Sequence, residues 1–371
     1  MAGWPLADYR EQTTLELAKT PNFDFLVSHG KMGLVQNVPP TLPPGSDVAS
    51  LSIFGYDPTL YYNGRASLEA VSLGIPLSNE EMVFRANLVK VVDGKMADFT
   101  AGHISTESAR SLIDLLNAKV GSQFPEVQFY CGVSYRHIMK MKTPPLKLST
   151  VPPHDITGQE ISSYLPQGEG KDRLQAIMAL SEEVLAGQQA SQIWLWGAGG
   201  RMDLPSFESK YGLRGGVISA VDLMKGIAMS CGLEYIPVPG ITGFIDTNFA
   251  GKATYALQAL LKDDIVFLHV EAPDEAGHMG DVSLKIAAIE KIDGEVLGTV
   301  LKANRDISIL LLPDHPTPIQ LRTHSREPVP FVIYHPSDPQ QHPFTRLTEK
   351  QATQTGWVIS QGHRLLESFL R

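Results

Sequence analysis

The amino-acid sequence predicts a soluble α/β protein of two lobes: a mainly parallel sheet with helices on both faces, interrupted by a smaller inserted α+β domain. Three observations carry this. Short apolar runs bounded by turn residues fall at 216–219, 265–270 and 307–312, as buried parallel strands require because both of their faces are covered. Between the last two lies VSLKIAAIEKIDGEVLGTVLKAN, whose apolar residues recur at helical spacing; strand, helix and strand in that order imply a right-handed βαβ unit. The middle of the chain has another texture. VFRANLVKVVDGKMADF places a turn at Asp93-Gly94 between two strand-like runs, an antiparallel hairpin signal, and VQFYCGVSYRHIMKM and LKLSTVPPHD continue the β-like pattern. The insertion is therefore drawn over 66–204, and the larger domain over 1–65 and 205–371.

Composition narrows the functional classes. The chain has 371 residues, 43% hydrophobic and 19% charged, enough to build two cores. A net charge of -9 without any Lys/Arg run argues against a nucleic-acid surface, which needs a basic stripe. An anionic substrate must then meet a local group of cations or metal ions. Cys131 and Cys231 lack metal-type spacing and read as reduced core thiols of a cytoplasmic protein. No run approaches the ~18 to 20 apolar residues of a membrane helix, and MAGWPLADYREQ has neither the basic nor the apolar region of a signal peptide. Neither a membrane nor a nucleic acid is expected as a partner; a homo-oligomer stays open.

The chemistry gathers behind the predicted strands. Open α/β sheets bind ligands at the carboxyl ends of their strands, and EAPDEAGH and PDHPTP both lie just past such ends, so the two motifs should be neighbours. Asp274 and His278 are four apart and would share one helical face. Asp314 and His315 are adjacent, and a strand end lets the chain turn both inward; His324 adds a third imidazole. One Asp-His pair alone reads as a solvated loop, but two pairs after consecutive strands plus a further histidine read as a metal site. Carboxylate mixed with imidazole suits a borderline or hard divalent ion such as Zn²⁺ or Mn²⁺. In PPGSDVASLSIFGYDP, Ser46 follows a Pro-Pro-Gly turn and precedes a helix predicted over 47–54. Free N–H groups at a helix start attract phosphate, although the pattern by itself is that of an ordinary N-cap serine.

PGSDVASLSIFGYDP, GVSYRH, PPHDITG, ISAVDLMKGI, HVEAPDEAGH and LPDHPTPIQLRTHSREPVPF, in this order, resemble the archaeal-type cofactor-independent phosphoglycerate mutase family of the alkaline phosphatase superfamily. The resemblance runs over nearly the whole chain. It implies an alkaline-phosphatase-like sheet domain split by a transferase-like insertion, and two divalent ions, manganese first, with zinc, cobalt or magnesium as alternatives, and no 2,3-bisphosphoglycerate. By the same resemblance Asp274, His278 and His324 would hold one ion, and Asp314, His315 and the Ser46 oxygen the other. Ser46 would be the nucleophile, taking the phosphoryl group from 3-phosphoglycerate and returning it to the other hydroxyl, with the insertion excluding water. Lys225 would screen the transferring group, although a surface helical lysine fits its pattern equally. Arg136, His137, His154, Asp155 and Arg201 would bind the glycerate carboxylate and hydroxyls, as an arginine fork suits a carboxylate. His103 and Arg110 receive no role. GAGG at 197–200 is not a dinucleotide fingerprint, and Trp194 and Trp196 alternate as strand residues and read as packing.

Two further activities share these residues: a metal-dependent phosphatase, and phosphotransfer onto a small acceptor such as homoserine. A non-catalytic relative is the third alternative, because the resembling family opens with a strand and an Asp-Gly-Met motif whose aspartate binds the second ion, where this chain reads MAGWPL. If the reading frame continues upstream into an apolar strand ending in Asp-Gly, the extended protein is expected to be the native enzyme and the present chain markedly less active. Manganese-dependent rate, metal content and size in solution, compared between the two, would check this; equal rates and metal content would show that segment to be dispensable.

Overall fold

Why the chain divides follows from where its apolar residues can pair. In the computed structural model, which describes Met1–Arg371, Met1–Tyr62 and Leu204–Arg371 form one unit and Asn63–Asp203 a second. The first unit contains two sheets. One is wholly parallel, ordered Glu234–Tyr235, Gly215–Ile218, Ile265–Leu268. The other is ordered Ile309–Leu311, Val329–Tyr334, Lys31–Val35, Val358–Ile359, with Val329–Tyr334 antiparallel to both of its neighbours.

The expected βαβ unit is not closed by strand pairing. Ile265–Leu268 pairs only with Gly215–Ile218, and Ile309–Leu311 only with Val329–Tyr334. Their other edges line a cavity of about 1370 Å³, walled along its length by residues such as Val266, Leu268, Leu310 and Leu312. The local pattern specified strand and helix but held nothing that selects a hydrogen-bonding neighbour, and that is why the two strands were wrongly placed side by side. Both strands still lead to the same end, where Asp274 and Asp314 enter the cavity wall.

The connecting helix behaves as its periodicity requires. Val282–Lys291 continues through a π-helical turn, Ile292–Leu297, into Gly298–Ala303. Ala288, Ile289, Ile292 and Val296 are buried against Phe23, Leu26 and Phe249. The wider turn presents Asp293, which is buried, to the start of helix Pro21–His29, where it accepts from the Phe23 amide at 2.7 Å and Asn22 Nδ2 at 2.9 Å. Amides in a helix's first turn lack partners within the helix, so this carboxylate docks one helix on the other. No helix is long and apolar enough to cross a membrane.

The second unit is an antiparallel sheet ordered Lys95–Asp98, Glu81–Val92, Arg136–Lys142, Val127–Val133, with Gln192–Gly200 also paired to Glu81–Val92. Helices Thr106–Gln123 and Lys171–Val184 contribute Leu112, Leu116, Leu174 and Ile177 to a core with Phe84, Phe129 and Trp194. At the hairpin, Asp93 has φ 49° and Gly94 φ 73°. Two successive left-handed residues match the twist of the flanking strands.

Two glycines separate backbone strain from helix propensity. Gly94→Ala meets no atom within 4 Å but keeps φ +73°, so it should destabilise the protein by about 1–2 kcal/mol. Gly294→Ala, in the π-helical turn and also in open space without a positive φ, should stabilise it by up to about 1 kcal/mol. Urea unfolding of the two variants beside the parent chain checks both signs.

Candidate metal centre

The site is built at strand ends, where the backbone leaves the sheets and side chains can converge. After Ile265–Leu268 the chain enters helix Ala272–Met279, with Pro273 in its first turn and Gly280, at φ +74°, closing it. Four residues apart on this helix, Asp274 and His278 meet with Oδ2 and Nε2 at 3.1 Å. His324, on the loop after Ile309–Leu311, brings its Nε2 to 3.5 Å from the same oxygen and 2.9 Å from His278 Nε2. Beside them, Ser46 Oγ donates to Asp314 Oδ2 at 2.8 Å and lies 3.0 Å from His315 Nε2, which is 3.2 Å from Asp314 Oδ2. Ligand atoms of Asp274, His315 and His324 all fall within 4.8 Å of one another. All six residues are thus gathered in two adjoining groups.

Ser46 opens helix Ser46–Ile53, one residue earlier than the sequence suggested. Gly45 before it leaves room for the Asp47 side chain: a Cβ at Gly45 would stand 2.7 Å from Asp47 Oδ1. Asp47 in turn accepts from Tyr62 Oη at 2.7 Å, which holds the helix start and with it the serine.

The donor set fits a divalent cation. His278 Nδ1 donates to the Arg322 carbonyl at 3.0 Å, which turns Nε2 toward Asp274 and His324. A ring nitrogen fixed on a backbone carbonyl is the usual way of aiming the opposite nitrogen at a metal. The electrostatics agree. Burial pushes the Asp274 carboxyl up, but hydrogen bonds from His278 and His324 outweigh it and hold it well below its ordinary value. The bond to Asp274 lifts His278 to about 9. Burial draws His324 down, and the same carboxylate more than offsets this. His315 is lowered by its burial. Asp314 is pushed up by burial but brought below its ordinary value by the neighbouring His315 charge.

Lys225 lies on helix Asp222–Ser230 with its ammonium 5.5 Å from the centre of the Tyr235 ring; no hydrogen bond joins it to the six residues. Its neighbour Met224 accepts from Ser50 Oγ at 3.0 Å, one turn along the helix from Ser46. The other expected site residues belong to the second unit. Arg136 is exposed at the start of its strand, its guanidinium 5.6 Å from the Tyr135 ring centre. His154 and Asp155 share the turn Pro153–Ile156, 3.7 Å apart, with the His154 ring against Trp196. Arg201 pairs with Asp203 at 2.7 Å. His137 is different: its ring is 1% exposed, Nδ1 accepts from the Gly132 amide at 3.0 Å, and Nε2 is buried without a partner.

Several charged and titratable groups escaped the sequence reading. His269 and Glu271 lie within the HVEAPDEAGH motif itself, 3.1 Å apart, and His269 Nδ1 meets Ser219 Oγ at 2.9 Å; both line the cavity wall with Asp274. Lys252 and Lys285 are fully buried, donating respectively to the His269 carbonyl and to the carbonyls of Ala2 and Thr317. In the second unit Arg85 is buried, paired with Glu69, and lies 4.2 Å from the Trp196 ring centre. A lysine or arginine in an apolar pattern gives no local sign of the acceptors that will receive it.

Fold and site together define an α/β protein with a half-buried carboxylate, histidine and serine centre of the composition that takes divalent cations. Comparison with known proteins narrows this class. Residues 28–190 match the family model described as 2,3-bisphosphoglycerate-independent phosphoglycerate mutase. A protein of that name from Methanosarcina acetivorans is 44% identical over 351 residues, covering 90% of this chain and 88% of its own length. The second such mutase of Methanothermobacter thermautotrophicus is 43% identical over 385 residues, covering 99% and 94%. Among solved structures, a protein from Pyrococcus horikoshii matches with a TM-score of 0.81 at 26% identity, covering 100% of this chain and 94% of that one. The chain belongs to the 2,3-bisphosphoglycerate-independent phosphoglycerate mutase family.

His137 gives a pH prediction. Burial holds it down at about 4, whereas an unfolded histidine titrates near ~6.5. Between these values the unfolded chain binds more protons than the folded one, so stability falls as pH drops from about 6.5 toward about 4 and levels below it. The contribution is roughly 3 kcal/mol, the whole of a ~2.5-unit difference at ~1.4 kcal/mol per unit. Urea unfolding across that window should show a shallower acid loss for His137→Gln than for the parent; identical slopes would show that His137 charges as readily folded as unfolded.

Proposed function

We propose that this protein interconverts 3-phosphoglycerate and 2-phosphoglycerate by passing the phosphoryl group through Ser46, at a centre holding two divalent ions. The observation that carries the reading is Ser46 Oγ at 2.8 Å from Asp314 Oδ2 and 3.0 Å from His315 Nε2. A serine hydroxyl is a weak nucleophile at neutral pH and needs a partner that draws its proton. The groups beside it are Asp314 and His315. As Ser46 Oγ bonds to phosphorus, the bond from phosphorus to the 3-oxygen of the substrate breaks and that oxygen gains a proton. The 2-hydroxyl then takes the phosphoryl group from the serine, with the proton count restored. Because Ser46 itself stores the group, no 2,3-bisphosphoglycerate is required.

Asp274, His278 and His324 would hold one ion, and Asp314, His315 and Ser46 the other, with manganese the first candidate. Bound there, divalent ions screen the negative phosphoryl group and lower the pKa of the serine hydroxyl. Lys225 adds a positive charge beside the Ser46 helix. Arg136, His154, Asp155 and Arg201 supply charges and donors suited to the carboxylate and hydroxyls of glycerate. His137, buried in its strand, would support Arg136 rather than touch the substrate.

Ser46→Ala should reduce interconversion of the two phosphoglycerates to background while the melting temperature stays at the parent value. Chelation should likewise abolish turnover, and Mn²⁺ should restore it. Turnover by Ser46→Ala would overturn the serine's role. Release of inorganic phosphate in place of the isomer would assign the site to hydrolysis, and transfer to an added alcohol would assign it to a phosphotransferase.

A further inference from the structure

A metal-binding carboxylate must be fixed in rotation as well as in position, because a partial turn about its Cβ–Cγ bond swings the ligating lone pair away from the cation. At Asp274 the two oxygens have different partners. Oδ2 faces His278 and His324, at 3.1 and 3.5 Å. Oδ1 accepts a short hydrogen bond from Thr317 Oγ1. The same hydroxyl lies 3.4 Å from His315 Nδ1, so it touches one member of each group of candidate ligands. Thr317 itself is 1% exposed.

What holds Thr317 is unusual for a residue in a proline-flanked loop. Its amide donates to the Ala2 carbonyl at 3.2 Å, and its carbonyl accepts from Lys285 Nζ at 2.6 Å. Lys285 is fully buried and also donates to the Ala2 carbonyl at 3.0 Å. On its other side Thr317 lies flat against the Asp274 helix at Gly277. A Cβ there would stand 2.7 Å from the Thr317 carbonyl oxygen, 2.8 Å from Cγ2 and 3.0 Å from Cβ. Glycine in EAGH is therefore what lets the threonine approach the turn that carries Asp274. Every polar group of Thr317 is engaged.

We infer that Thr317 is a positioning residue of the centre: held by Gly277 and Lys285, its hydroxyl ties Asp274 Oδ1 so that Oδ2 faces the cation. The inference rests on the metal reading given above. A hydrogen bond to a ligating carboxylate raises metal affinity by removing alternative orientations, and loss of such a partner costs about 10–100-fold.

The test is titration of the metal-free full chain with Mn²⁺, reading bound ions and affinity without any assay of turnover. Thr317→Val keeps the shape and removes the hydroxyl; it should weaken Mn²⁺ binding about 10–100-fold. Thr317→Ser keeps the hydroxyl and removes the methyl; it should bind as the parent does. That contrast separates positioning from packing. Thr317→Ala serves as a second hydroxyl-free variant should valine strain the contact with Gly277, and thermal melting identifies the folded variants. Equal affinity in the parent and a folded hydroxyl-free variant would overturn the inference while leaving the metal reading intact. Equal weakening in Thr317→Ser would assign the effect to packing and overturn it as well. A parent that takes up no Mn²⁺ would overturn the metal reading, and this inference with it.

Discussion

One half-buried carboxylate organises the larger unit. Asp274 keeps only 13% of its side chain exposed, with two imidazoles on one oxygen and a threonine hydroxyl on the other. An unpaired charge in such a place is costly enough that a protein ordinarily neutralises it or surrounds it with donors. The surrounding structure supplies donors from two segments: the carboxylate's own helix through His278, and the loop after Ile309–Leu311 through both Thr317 and His324. Two of the donors are pinned in turn, His278 by the Arg322 carbonyl and Thr317 by the Lys285 ammonium on its own carbonyl. Segments far apart in sequence are thus committed to one another by a single group's need for partners.

The same logic accounts for two buried lysines. Lys252 and Lys285 are each lowered to about 8, burial being the main cause. Each donates to main-chain carbonyls at a corner where the chain turns toward the site, Lys252 at His269 and Lys285 at Thr317. Corners have unpaired carbonyls because the strand has ended and the helix has not begun, and buried carbonyls require a donor. A long side chain reaching from a neighbouring helix meets that requirement without adding backbone. The positive charges also lie near an otherwise acidic centre: Glu271 acts on Lys252, and Asp274, Glu349 and Asp314 act on Lys285.

How much of this was legible depends on whether the signal was local. The four-residue interval of Asp274 and His278, the Pro-Pro-Gly approach to Ser46 and the Asp93-Gly94 turn are properties of neighbours in sequence, and each appears as read. The pairing of Ile265–Leu268 was not local, and the expectation that it adjoins Ile309–Leu311 failed because edge partners are chosen across the fold. His137 was readable in a different way. In RHIMKMK, alternation puts His137 on the same face as Met139 and Met141, all three buried, while Arg136 and Lys142 at the ends are exposed. The period of two places it among core residues, and attention to its chemistry hid its position.

Thr317 marks the limit of reading chemistry from residue type. Between two prolines it looks like a turn residue, and histidine and aspartate on either side attract all the attention. Its importance comes from a contact that needs a missing Cβ forty residues earlier, at Gly277, and a cation from the helix that follows. Neither is visible in PDHPTP. Once the three are assembled, the order of dependence becomes clear. Gly277 permits the approach and Lys285 fixes the carbonyl; the hydroxyl is then directed to Asp274 Oδ1, and only the remaining oxygen is left to face the imidazoles. The geometry of the centre is thereby set by residues that contribute no ligand atom, which is why a list of histidines and aspartates describes its composition but not its shape.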